Sequence, residues 1–202
     1  MKRGALSVIM LVIIISATYG AGWVGGSMNI HRDVFKDNDY NVELAFNQFG
    51  FGVGGAHYFD RSESWGLRYQ LGFGSTAPKV TIGSLALDLD STLGFYGSVG
   101  GQFKHDIQDE LGLDVGIGYA FTNARYTNSN TTYSYTISKI ELTTGVVYEL
   151  SDTIMLGGGL AMGFPLGVSA TTTVGDNEPT TDSAETEKGF GFGGYLGAYY
   201  RY

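Results

Sequence analysis

The chain has 202 residues, room for one domain, and sets 12 Lys and Arg against 20 Asp and Glu, a net charge of −8. That balance disfavours nucleic acid or anionic lipid as a main partner, and the absence of cysteine excludes a disulfide framework or a thiolate metal site. With 32 glycines and only 3 prolines, the composition fits strands with a crowded face rather than a disordered polymer.

Residues 1–20 read as a secretory signal peptide. Lys2 and Arg3 give a basic start, residues 5–17 an apolar core, and Thr18 and Gly20 small residues near a cleavage site. A membrane anchor is the alternative, but the apolar run falls short of the roughly 20 residues a helix needs to span. Removing Lys2 and Arg3 with the signal takes the charge of the mature chain, residues 21–202, from −8 to −10.

From residue 22 onward the apolar residues alternate with period two and no helical pattern competes. The first strand, residues 22–31, is the weakest, with Val24, Met28 and Ile30 on one face. The second runs over 40–59. Its apolar parity changes from Val42, Leu44 and Phe46 to Phe49, Phe51 and Val53, which predicts a bulge near Asn47 or Gln48. The third sets Trp65, Leu67, Tyr69, Leu71 and Phe73 against Gly66, Arg68, Gln70, Gly72 and Gly74. A fourth is expected over 85–104, a fifth over 111–122, a sixth over 140–150 and a seventh over 154–168. The eighth, 189–202, alternates Phe190, Phe192, Leu196, Ala198, Tyr200 and Tyr202 with glycines, Tyr195, Tyr199 and Arg201.

Connections alternate in length. Short polar turns fall at 60–64, 105–110 and 151–153; longer ones fall at 32–39, 75–84, 126–138 and 171–188. Eight strands with alternating short and long connections, each strand long enough for the 9–11 residues that cross a tilted bilayer, predict an all-β, antiparallel up-and-down transmembrane barrel. The fourth, fifth and sixth strands are expected to run on beyond the bilayer as a protruding sheet. A soluble calycin-like barrel is the alternative; its outer face would then consist largely of glycine.

With that pattern and the ending Tyr200-Arg201-Tyr202, residues 22–202 resemble the small eight-stranded outer-membrane barrels: the OmpA transmembrane domain, OmpX with its adhesin relatives, and the OmpW group. The resemblance implies an outer-membrane location in a diderm bacterium, short periplasmic turns and longer extracellular loops. It also implies an assembly signal in Leu196, Ala198, Tyr200 and Tyr202, although such signals usually end in Phe rather than Tyr.

With the apolar parity facing lipid, the interior receives a polar network of Arg68, Gln70, Gln102, Lys104, Asp114, Glu141, Glu149 and Arg201. An eight-stranded barrel is only wide enough for side chains to fill, so these charges must pair. Interfacial aromatics are expected at Phe59, Trp65, Phe103, Tyr200 and Tyr202 toward the periplasm, and at Phe73, Phe121, Phe164 and Phe190 toward the outside. His31 with Asp90 and Ser91 is similar to the outer-membrane palmitoyltransferase, but no amphipathic helix precedes the barrel, and His57 and His105 form no metal spacing. Tyr126, Tyr133 and Tyr135 among Asn128, Asn130, Thr131 and Thr132 offer rings and hydrogen bonds to a partner. The loop at 171–188 is acidic.

The expected function is a structural or surface-interaction (adhesin-like) role without catalysis. A narrow OmpW-type conduit for small or hydrophobic solutes is the alternative, and a lipid-modifying enzyme the third reading. Expected partners are outer-membrane lipid and lipopolysaccharide, the barrel-assembly machinery and host or surface ligands, for a monomer with no cofactor and no metal.

Overall fold

Period-two alternation puts successive side chains on opposite faces, so one face of every strand must meet a different medium from the other. The computed structural model describes residues 21–37, 42–59, 62–88, 90–128, 130–175, 178–184 and 189–202. In it the alternation resolves into ten strands: β1 (Gly22–Asp37), β2 (Val42–Tyr58), β3 (Trp65–Ile82), β4 (Leu85–Asp88), β5 (Thr92–Gln108), β6 (Leu111–Asn128), β7 (Thr131–Glu149), β8 (Ile154–Val174), β9 (Thr180–Ala184) and β10 (Gly189–Arg201). Eight form a closed antiparallel ring in the order β10-β1-β2-β3-β5-β6-β7-β8, with β10 pairing back to β8. The short strands β4 and β9 pair with β3 and β8, at the end of the barrel away from Gly22 and Tyr202.

Closure joins the first strand to the last, from Trp23↔Arg201 to Phe35↔Gly189. With both β1 and β10 paired on each side, the ring has no open edge. Ala21, Tyr202 and the tight turns share one end, the turn end; the opposite end carries the hairpins.

The outward face is apolar. Ile30 is 62% exposed, Val53 62% and Leu196 64%, and they lie in a belt with Phe51, Phe73, Phe95, Ile117, Leu160 and Phe192. A soluble barrel would bury these residues, so the calycin-like alternative fails on this face. The inward face is lined by glycine because large rings lie flat against it. A Cβ on Gly72 would overlap the Tyr96 ring, and one on Gly145 would overlap the Tyr195 hydroxyl.

Several sequence expectations are corrected. The first strand continues through Asp37 rather than ending at His31. No bulge interrupts β2, whose register to β1 and β3 is unbroken from Val42 to His57. Its parity changes because Phe46 turns inward, 1% exposed, whereas Phe49 and Phe51 face out. The register breaks lie elsewhere, at Asp106/Gln108 and Ser138/Lys139. The expected strand over 85–104 is two strands, β4 and β5, and β5 runs through the expected turn to Gln108. The long connections at 75–84 and 126–138 are mostly strand, since β3 reaches Ile82, β6 ends at Asn128 and β7 begins at Thr131; the connection at 171–188 contains the end of β8, through Val174, and β9. Thus β6, β7 and β8, at 18, 19 and 21 residues, far exceed the roughly 9–11 needed to cross a bilayer. The expected signal peptide, and Asp176, Glu185, Glu187 and Lys188 of the acidic loop, lie outside the described residues.

Candidate functional site

Inward-facing side chains from all eight ring strands fill the lumen in successive levels. At the turn end, Arg201 on β10 donates through Nη2 to both Glu63 oxygens at 2.7 and 2.8 Å, and through Nη1 to Glu149 at 2.8 Å. Lys104 on β5 donates to the other Glu149 oxygen at 3.2 Å and lies 3.0 Å from Asp106. Glu63 reaches Arg201 from a left-handed backbone, φ 53°, an uncommon conformation for a residue with a Cβ. These pairs tie the β2–β3 turn, β5, β7 and β10 together at the rim.

Directly above sits an apolar plug of Trp23, Ala56, Tyr58, Val147, Met155 and Tyr199, all buried. The Trp23 and Tyr199 rings lie 4.3 Å apart. The polar atoms of the plug are joined: Trp23 Nε1 and Gln102 Nε2 both donate to the Tyr58 hydroxyl, at 3.3 and 3.2 Å.

The middle level is polar. Arg68 donates to the Thr143 hydroxyl at 3.2 Å and to the Tyr195 hydroxyl at 3.3 Å, and Tyr195 donates to Asp114 at 3.2 Å. Gln70 donates to Ser27 and Asn29 at 2.7 and 3.0 Å, and Asn29 donates to Tyr96. Above this, Lys139 donates to both oxygens of Asp33 at 3.1 Å, and His31 Nε2 lies against both groups. Lys139 and Asp33 are each 3% exposed in their side chains, a fully desolvated pair. The hairpin end is closed by Phe35, Phe46 and Ile137, packed with Leu44, Tyr135 and Val168.

The expected polar network therefore divides. Lys104 and Arg201 share Glu149; Arg68 reaches Asp114 only through the Tyr195 hydroxyl; Gln70 and Gln102 join uncharged partners. Glu141 has no ion-pair partner among the described residues, which corrects the expectation that every lumen charge pairs. His31 lies inside against Asp33 and Lys139 instead of with Asp90 or Ser91. The pair Asp33–Lys139 was missed because Asp33 fell in the stretch 32–39 read as a connection and Lys139 in the gap between the loop at 126–138 and the strand at 140–150. Their inward parity, shared with Asn29 and His31 and with Glu141 and Thr143, was the available signal.

Among the aromatics expected at the interfaces, Phe59, Trp65, Phe73, Phe164, Phe190, Tyr200 and Tyr202 are exposed on the outer face. Phe103 and Phe121 are half-buried, and Phe103 packs against Trp65 with ring centres 4.7 Å apart. Leu196, Ala198 and Tyr200 on β10, with Tyr202 just past its end, share the outward parity, opposite the inward Tyr199 and Arg201.

Solved structures share this architecture. OprG from Pseudomonas aeruginosa superposes with a TM-score of 0.63 at 11% identity, covering 91% of this chain and 96% of that one. A major outer membrane protein from Thermus thermophilus gives 0.55 at 14%, over 88% and 99%. Ail of Yersinia pestis gives 0.52 at 12%, over 92% and 100%. At such identities the likeness is one of fold. Among curated proteins, none matches the sequence. The profile of the outer membrane protein β-barrel domain matches residues 5–161, and with an eight-stranded ring whose outer face is apolar, the chain belongs to that family of outer-membrane proteins.

Proposed function

We propose that this protein is a non-conducting outer-membrane barrel without catalysis, which acts through the surface it presents outside the cell. The observation that carries this reading is closure at both ends: a rim of ion pairs and a buried apolar plug at the turn end, and a second buried apolar plug at the hairpin end. A lumen filled in this way offers no continuous polar path, so function falls to the outside. There the hairpin of β6 and β7 stacks Tyr126 on Tyr133, centroids 6.4 Å apart, above hydroxyl-rich strands. Half-buried rings beside the exposed Thr127 and the half-buried Thr132 suit a polar, contoured partner such as a host or bacterial surface molecule. On the closing strand, the outward set Leu196, Ala198, Tyr200 and Tyr202 is the surface we assign to the assembly machinery.

The test is a shortened hairpin. Replacing residues 125–134 by Asn-Gly joins the facing pair Ala124 and Tyr135 through a two-residue turn and keeps the plug residue Ile137. Cells displaying this variant should lose adhesion to epithelial monolayers while the barrel keeps its heat-modifiable mobility. Adhesion equal to the parent would contradict the proposal.

A second reading, a conduit for hydrophobic solutes, draws on one feature: the hairpin-end plug is apolar, with Phe35, Phe46 and Ile137 where a polar pore would place charges. It requires that plug to open, and faster entry of a hydrophobic dye into vesicles holding the wild-type protein would favour it.

A further inference from the structure

Two tyrosines on the outer wall lean toward each other across the closing seam. Tyr202, just past the end of β10, lies opposite Gly22 on β1, and their backbones exchange hydrogen bonds of 3.0 and 3.3 Å. Tyr69 on β3 lies opposite Gly55 on β2. The two glycines are diagonal neighbours, since Gly22 pairs with His57 and Val24 with Gly55. All four residues belong to the outward set: Gly22 with Val24 on β1, Gly55 with Val53 on β2, Tyr69 with Leu71 on β3, and Tyr202 with Tyr200.

Each ring lies over the glycine opposite it. A Cβ on Gly22 would stand 2.8 Å from the Tyr202 hydroxyl, and one on Gly55 would stand 2.8 Å from the Tyr69 hydroxyl. A ring over a cross-strand glycine covers bare backbone. Here two such rings come from opposite sides, and their hydroxyls hydrogen-bond to one another above β1 and β2. The contact therefore spans three inter-strand steps, from β10 to β3, or about 14 Å of wall. Any side chain at position 22 or 55 would take the place of a hydroxyl, so the glycines are the seat of this contact.

We propose that Tyr202 and Tyr69 form a clasp that locks the ring after β10 has zipped to β1. Backbone pairing ties β10 only to its immediate neighbours, β1 and β8. The clasp adds a tie to β3, which lies beyond β1 and β2 from the seam. Pairing of β10 with β1 is what carries Tyr202 within reach of Tyr69. The contact is thus made by closure and cannot guide it, and the two hydroxyls must part before the seam opens at the turn end.

The experiment follows urea unfolding and refolding of the full barrel in phosphatidylcholine vesicles, where no assembly machinery is present. It compares wild type, Tyr202→Phe, Tyr69→Phe and the double variant, with Tyr148→Phe, an outward tyrosine on β7, as the control. Phenylalanine keeps both rings over their glycines, so only the hydroxyl contact is removed. Loss of one hydrogen bond of ordinary strength lowers the folded-to-unfolded ratio about 2- to 12-fold. Each single variant should show such a loss, and the double variant no more than either, because both singles break the same bond. The loss should appear as faster unfolding with an unchanged refolding rate, the mark of a contact absent from the transition state. Tyr148→Phe should combine with Tyr69→Phe independently, their effects multiplying. Losses at 202 and 69 that multiply in the double variant would overturn the clasp, as would single variants as stable as wild type. Slower refolding of Tyr202→Phe would overturn it too, since the contact would then precede closure.

Discussion

Asp33 and Lys139 meet, both buried, from strands far apart in the sequence, with His31 Nε2 against both. Removing one partner of a buried pair typically costs about 3–5 kcal/mol, because the survivor stays desolvated, whereas replacing both with apolar residues is often near neutral. Lys139→Met and Asp33→Leu are each expected to destabilise the barrel by that amount, and the double variant by far less. Urea unfolding followed by tryptophan emission measures this, since Trp23 is 4% exposed inside the lumen and Trp65 63% exposed on the wall. At this scale the sequence was partly legible. Parity alone assigned Arg68, Lys104, Glu149 and Arg201 to the interior, but it cannot say which charge reaches which. Lys104 and Asp114 face each other across β5 and β6, yet Lys104 reaches the rim and Asp114 reaches Tyr195. Side-chain direction along the barrel axis settles such partners, and a period of two carries no information on it.

At the scale of strands, the number of ring members and their order followed from alternation and from the spacing of polar turns. Their lengths did not. Residues 126–138 are rich in Thr, Ser, Asn and Tyr and residues 171–188 in Thr, Asp and Glu; both lack the apolar face that marks a lipid-facing strand, yet above the membrane a strand needs only cross-strand hydrogen bonds and water. The parity change in β2 was visible, but its cause was not, because an inward Phe46 needs partners from β1 and β7 that no local pattern reveals. Glycine is likewise ambiguous in sequence. Gly100 and Gly101 are adjacent on β5, but a Cβ on Gly100 would collide with the Gly118 backbone, whereas one on Gly101 would meet nothing within 4 Å. Gly100→Ala should cost about 1–3 kcal/mol through forced backbone shifts. Gly101→Ala should be neutral or stabilising by up to about 1 kcal/mol, as relief of a glycine within a strand. The two unfolding midpoints should therefore move apart, and equal losses would contradict the close packing of β5 against β6.

For the molecule as a whole, closure leaves none of the eight ring strands with an open edge, the apolar outer wall suits lipid, and the inside is filled from both ends. The strand that closes the ring does two jobs: its outward side chains meet lipid, and its inward Tyr195, Tyr199 and Arg201 each enter a different level of the lumen. Closure of the wall and closure of the lumen are thus completed by the same residues, which ties a sealed interior to correct assembly. The direct measurement is single-channel recording of the wild-type barrel in a planar bilayer. The filled lumen predicts a flat baseline with no discrete current steps in molar potassium chloride; reproducible steps of uniform size, absent from protein-free membranes, would contradict it.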